Sequence, residues 1–220
     1  YKKSVEDFPR DVVARNGLAE TLAEMNRLEE AVQVASKTRE LFPQNRIAKN
    51  IYARYLILQE KIDDALLLIF IERPESEHDW YDFHVHTMGL WRKGEQTKAL
   101  NQAEFGVKHC LFPKSKRVFA GTCSFFKFKL KQFEKINETP ANLIADKEMM
   151  CFQLLICAQI FAEFKQFKEA EGLFKYIEEK DTRYKDLVDL LRLYYIAQNI
   201  QPDQLARLEQ TQFRLALNHT

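Results

Sequence analysis

Three histidines, His78, His84 and His86, lie beside Asp79 and Asp82. On a helix, metal ligands must sit three or four residues apart to share a face. His84 and His86 are two apart and point in different directions, and His78 precedes the expected helix cap, so no metal ligand is assigned. The four cysteines, Cys110, Cys123, Cys151 and Cys157, have no CxxC spacing and sit in apolar or helical contexts. They read as reduced core thiols rather than zinc ligands. No nucleophile elbow, phosphate loop or HExxH stretch is present. Carboxylate pairs such as Glu29-Glu30 and Glu178-Glu179 read as solvated helix faces. The expectation is therefore a chain without catalytic residues, metal or cofactor: not an enzyme.

A second chemistry comes from charge. Lys108, Lys114, Lys116, Arg117, Lys127, Lys129, Lys131 and Lys135 fall within 28 residues that hold a single acid, Glu134. Phe119, Phe125, Phe126, Phe128 and Phe133 are interleaved with them. Basic charge with aromatic rings suits a nucleic-acid groove. The same composition also describes a solvated basic face over an aromatic core, or a docking face for an acidic protein partner. The core reading is favoured, an acidic partner ranks next, and nucleic acid ranks last.

These residues must be positioned by a folded chain. Hydrophobic residues make up 46% and charged residues 30%, the balance of a folded protein rather than a disordered one. Six Gly and six Pro suit helices joined by short turns. A net charge of +1 sets up no global field toward nucleic acid or membrane. The longest apolar run, Ala65–Ile71, falls short of the roughly 20 residues that span a bilayer. Tyr1-Lys2-Lys3-Ser4 has no signal-peptide pattern. The expectation is a cytoplasmic protein with no membrane contact.

The organising pattern is a period. Shifted by 34 residues, Glu6–Ala31 falls on Glu40–Ala65: Phe8-Pro9 on Phe42-Pro43, Asp11 on Asn45, Asn16 on Asn50, Ala19 on Ala53, Leu22 on Leu56 and Ala31 on Ala65. A further step takes Ala65 to Ala99. A fixed period of this length marks stacked helix–turn–helix units. In the first unit Asp11 is the expected N-cap of helix A, Val12–Glu24. Met25-Asn26-Arg27 forms the turn, and helix B, Leu28–Leu41, is stopped by Phe42-Pro43. Asn45 and Asp79 are the expected caps of the next two units, with Trp80 first in its helix. Thr87, Leu90 and Gly94 keep the third unit in register, and its helix B runs to about His109. From Ala99 to Ile136 the step is 37, which predicts an insertion or a bent helix, and Pro140 marks the fourth unit as degenerate. Cys157, Ala158, Phe161, Ala170 and Phe174 restore the pattern. Leu193, Ala197, Pro202 and Ala206 make a weaker sixth unit.

These residues resemble the tetratricopeptide repeat family. Leu18, Ala19 and Leu22 match its helix A signature, Ala31 its small helix B residue and Pro43 its closing proline. Arg15 stands where the pattern often has Trp, and Ala35 where it has Phe. The expected fold is all-α: one array of about six units, near 12–45, 46–79, 80–114, 115–149, 150–184 and 185–220. Residues 1–11 are then the end of a truncated preceding repeat, as in a fragment of a longer protein. The resemblance implies a right-handed α–α superhelix with helix A on the concave side.

Such a surface suits a peptide or protein ligand. By register, the groove faces are Val13, Asn16, Glu20, Ala23 and Glu24; Ile47, Asn50, Arg54, Ile57 and Leu58; and Tyr81, His84, Met88, Trp91 and Arg92. The row Asn16–Asn50–His84 offers groups that hold a peptide backbone, and Met88 and Trp91 offer an apolar anchor. Asn50→Ala is then expected to leave folding intact and weaken partner capture. Glu20 disfavours a carboxylate clamp for acidic C-terminal tails. Lys127, Lys129 and Lys131 extend the candidate binding set. The leading expectation is a non-catalytic interaction scaffold. The alternatives are a regulatory or sensor array of a larger enzyme or signalling protein, and a nucleic-acid binder using the basic fourth unit.

Overall fold

The computed structural model describes residues 5, 9–132, 151–198 and 200–218, and all its regular structure there is helical. Among the described residues eleven α-helices are seen: α1 Val12–Glu24, α2 Leu28–Leu41, α3 Arg46–Leu58, α4 Ile62–Leu68, α5 Glu77–Arg92, α6 Gln96–His109, α7 Pro113–Lys129, α8 Cys151–Glu163, α9 Phe167–Lys180, α10 Lys185–Leu191 and α11 Pro202–Asn218. A 3-10 turn over Thr182–Tyr184 leads into α10, and a π-helical stretch, Arg192–Ile196, follows it. The chain forms two compact units, Tyr1–Lys116 and Arg117–His219.

In the first unit local chemistry sets the helix ends. Asp11 Oδ1 accepts from the amides of Val13 (2.8 Å) and Ala14 (3.2 Å), so α1 starts where the sequence predicts. Asn45 Oδ1 accepts from Ala48 N at 2.9 Å and does the same for α3. The start of α5 corrects the sequence reading. Ser76, not Asp79, is the cap, and Trp80 lies in the helix rather than first in it. Ser76 Oγ accepts from Asp79 N at 3.2 Å while Asp79 Oδ2 accepts from Ser76 N at 2.7 Å, a reciprocal capping box.

The turns recur along the chain. Asn26, Glu60, Gly94, Lys131 and Lys165 all have positive φ, at intervals of 34, 34, 37 and 34 residues. At each, two amides close back on the preceding helix in the same pattern. For the first, Asn26 N donates to Ala23 O (3.1 Å) and Arg27 N to Leu22 O (2.8 Å). For the last, Lys165 N donates to Ala162 O (3.0 Å) and Gln166 N to Phe161 O (2.9 Å). This is the Schellman closure, which satisfies orphan carbonyls at a helix C-terminus. The 37-residue interval matches the expected insertion, and α7, at 17 residues against 13 for α1 and α3, accommodates it. The continuation of the fourth unit, with Ile136 and Pro140, lies outside the described residues.

Five residues after four of these turns stands an alanine. Ala31, Ala65, Ala99 and Ala170 are each 0% exposed. Each amide donates to the residue just before its helix, at 3.0, 3.2, 3.0 and 3.1 Å. A single methyl group lets paired helices approach closely, and the zero exposure is the result of that contact. Ala19, Ala53 and Thr87 on the facing helices are equally enclosed. Around the first pair, Ala19, Leu22, Ala31, Ala35, Ile51 and Tyr55 form one core cluster.

The second unit pairs α8 with α9, α9 with α10, and α10 with α11. Its core includes Phe119, Phe126, Leu155, Phe174, Leu187 and Leu191. In α7, Cys123 is buried and Ser124 half-buried. Pro202 begins α11 as expected. Ala206 does not hold a buried small position there: it is exposed, and α11 buries Leu208, Gln212, Phe213, Ala216 and Leu217 instead.

Candidate functional site: the helix A faces of the first unit

Helices α1, α3 and α5 carry the expected binding positions in three parallel sets. One register position, second in α1 and α3 and fifth in α5, holds Val13, Ile47 and Tyr81. Val13 is 72% exposed, Ile47 is 53% exposed, and Tyr81 is half-buried. Tyr81 donates to Glu77 Oε1 at 3.1 Å, and the Lys114 ammonium stands 5.9 Å from its ring centre. Burial first, then the neighbouring Glu77, raises the Tyr81 pKa.

The row Asn16–Asn50–His84 is enclosed rather than open. All three are buried, and Asn16 Oδ1 has no hydrogen-bond partner among the described residues. Asn50 Nδ2 donates to Asp82 Oδ1 at 2.8 Å, so its amide is spent inside the protein. Asp82 is 2% exposed, and its other oxygen lies 3.4 Å from the Arg46 guanidinium, which also pairs with Asp79. Sequence spacing alone does not reveal this network. Its only signal is an acid, Asp82, inside an otherwise buried helix face.

Desolvation opposes ionisation of Asp79, but the hydrogen bonds from Arg46, Ser76 and the Glu75 amide outweigh it. They hold the carboxyl well below the ordinary range.

The remaining positions divide in the same way. Glu20 and Glu24 are exposed, Ala23, Arg54, Leu58 and Trp91 are half-buried, and Ile57 and Met88 are fully buried. Burial lowers the Arg54 pKa while Tyr55 and Glu20 raise it. Arg92, exposed, pairs with Glu60, its Nε lying 2.8 Å from Oε1. Met88, expected as an apolar anchor, is core, because α5 is packed against α3, α4 and α6 and buries an unbroken stretch from Asp82 to Leu90. The surface open to a partner is thus Val13, Glu20, Glu24, Ile47 and Arg92, flanked by Arg54, Tyr81 and Trp91.

The basic segment divides between the two units. Lys108, Lys114 and Lys116 are exposed in the first. In the second, Arg117 and Lys127 are half-buried and Lys129 and Lys131 exposed, while Phe119, Phe125, Phe126 and Phe128 are buried core. Their ring faces are not displayed for bases to stack on. Lys135 and Phe133 lie outside the described residues.

His78 is exposed and His86 buried, its Nδ1 3.2 Å from Gln102 Oε1. Burial lowers the His86 pKa, which Gln102 and Glu95 partly oppose. Among the described residues no three His, Cys, Asp or Glu side chains are grouped to hold a metal ion. Cys110, Cys123 and Cys157 are buried, Cys151 is half-buried, and none of the four is in a disulfide. No helix among the described residues is long and apolar enough to cross a membrane. No family model matches this chain, and no curated protein matches its sequence.

Proposed function

We propose that this chain is a tetratricopeptide-like array of six units, coiled as a right-handed superhelix, and that it is a non-catalytic scaffold for a peptide or protein partner. The recurrence of one turn geometry at five places, followed at four of them by a buried alanine, supports the repeat reading. Four cysteines not joined in disulfides suit a reducing, cytoplasmic setting.

The observation that carries the docking role is the exposed apolar column Val13–Ile47, continued by half-buried Tyr81, one residue per helix A. Packed helices stand about 8–10 Å apart, and a polyproline II chain has three residues per turn and rises about 3.1 Å per residue. A peptide extended in that form, with an apolar side chain at every third position, therefore keeps step with the column on one face.

The test is fluorescence anisotropy with labelled peptides whose apolar residues recur at every second or every third position. Period-three peptides should bind, and the double variant Val13→Asp, Ile47→Asp should weaken them by about tenfold or more with an unchanged melting curve. Equal binding by variant and wild type, or no preference for period three, would count against the column as the docking face.

A further inference from the structure

The second unit contains a recess that the docking role does not use. Its volume is about 130 Å³, and it opens between the end of α7, α8, the π-helical stretch and α11. Its floor is a pair of buried amides: Gln212 Nε2 donates to Gln159 Oε1 at 2.7 Å, and Gln159 Nε2 donates to Leu155 O at 3.2 Å. Lys129 Nζ completes the chain by donating to Gln212 Oε1 at 2.9 Å. The three bonds run in one direction, from the ammonium inward to a backbone carbonyl. Buried polar chains of this kind are costly unless every member is satisfied, and this one fixes the position of a cation at the recess.

The walls supply the opposite charge. Glu163 and Glu209 line the recess together with Lys129 and Lys131, two acids against two bases. Tyr195 donates to Glu163 Oε1 at 3.0 Å and so orients that carboxylate. Tyr194 and Tyr195 both reach the recess from the π-helical stretch Arg192–Ile196. Short π-helical turns inside helices concentrate at functional sites, where they re-aim side chains that an α-helix would direct elsewhere.

A lone anion meets the two glutamates here, and a lone cation meets the two lysines. A ligand carrying both charges satisfies all four. Size narrows the choice further: a cavity of roughly 150 Å³ holds benzene, six heavy atoms. We propose that this recess binds a small zwitterion of the amino-acid class, its carboxylate on Lys129 and its ammonium toward Glu163 and Glu209. An ammonium has three N–H donors, and the bond to Gln212 uses one of those on Lys129. Lys129 is exposed as a whole residue, but its ammonium end, held against the buried Gln212, is partly desolvated; this lowers its pKa and Glu209 opposes that, so an incoming carboxylate restores part of the lost stabilisation.

The test is a titration of the whole chain, followed by amide chemical shifts and by calorimetry. The probes are L-alanine, acetate and ethylammonium, the last two carrying one charge each. L-Alanine should saturate, with shifts at Gln159, Gln212 and Tyr195, and the single-charge probes should bind about tenfold or more weakly. Lys129→Met and, independently, Glu209→Gln at an exposed site should each weaken L-alanine by about tenfold. Glu209→Gln keeps the test decisive if Lys129→Met lowers stability. No saturable response to L-alanine, acetate binding as tightly as L-alanine, or affinity unmoved by Glu209→Gln would each overturn the assignment.

Discussion

Asn50→Ala is the sharpest test of the first unit, because sequence register and structure give it opposite outcomes. Register places Asn50 on an open groove, where truncation affects partner capture alone. In the structure its amide is the closest donor to Asp82 Oδ1, at 2.8 Å, and both side chains are buried. The other Asp82 oxygen has the Arg46 guanidinium at 3.4 Å, a long bond from a side chain 44% exposed. Truncation therefore leaves one oxygen of a buried carboxylate without its donor. A hydrogen bond to a charged group is worth about 1.5–3 kcal/mol, and the stranded acceptor has no water to turn to. Asn50→Ala should lower unfolding free energy by about that amount, and Asn50→Asp, which sets two carboxylates face to face, by about 3 kcal/mol or more. Urea unfolding followed by circular dichroism reads this as a lower midpoint at constant slope. A cycle with Asp82→Ala should give a coupling of about 1 kcal/mol or more, since the two groups are in contact. Stability of Asn50→Ala within about 0.5 kcal/mol of wild type, with no coupling to Asp82, would refute the account and return Asn50 to the surface.

Two further perturbations follow from the same geometry. Ala31→Leu and Ala65→Leu should each cost about 1–3 kcal/mol by overpacking a fully buried helix contact, whereas Ala206→Leu, at an exposed site, should change stability by less than about 0.5 kcal/mol; thermal melts of the three variants decide it. Asp79→Asn should destabilise at neutral pH. Because the folded pKa of Asp79 is depressed, its stabilisation is present above the unfolded value near pH 4 and is lost as pH falls through the folded one. The gap between wild type and variant should therefore narrow in acid, read from melting temperatures at pH 7 and below pH 4.

The parts of this fold that were legible in the sequence are those set by local chemistry. Asp11 and Phe42-Pro43 fix the ends of α1 and α2 through a cap and a proline, and both helices run over the expected residues. The turn Met25-Asn26-Arg27 is found where expected because its geometry depends on a few neighbouring residues. Copying the period forward fails at α5, where a nearer signal was available. Ser76 stands three residues before Asp79, and that local pair overrides the equivalence of Asp79 with Asn45. Ala206 fails for a different reason. Spacing assigns it the small buried role, but in α11 the buried set begins at Leu208 and the apolar face is turned away from that position.

Depth is the property that period does not encode. Asn16, Asn50 and His84 occupy one register position, and Val13, Ile47 and Tyr81 another, yet the first set is buried while the second ranges from open to half-buried. Register specifies the direction in which a side chain leaves its helix. Whether water remains there depends on the next helix pair, whose contacts come from residues more than thirty positions away. The basic segment shows the same limit in composition. Phe119, Phe125, Phe126 and Phe128 alternate with lysines along α7, so a linear reading cannot separate a stacking platform from a core. A helix separates them. With 3.6 residues per turn, it gathers the rings onto one buried side and leaves Lys129 near its end, where a buried amide pair and two glutamates supply the environment that sequence spacing cannot show.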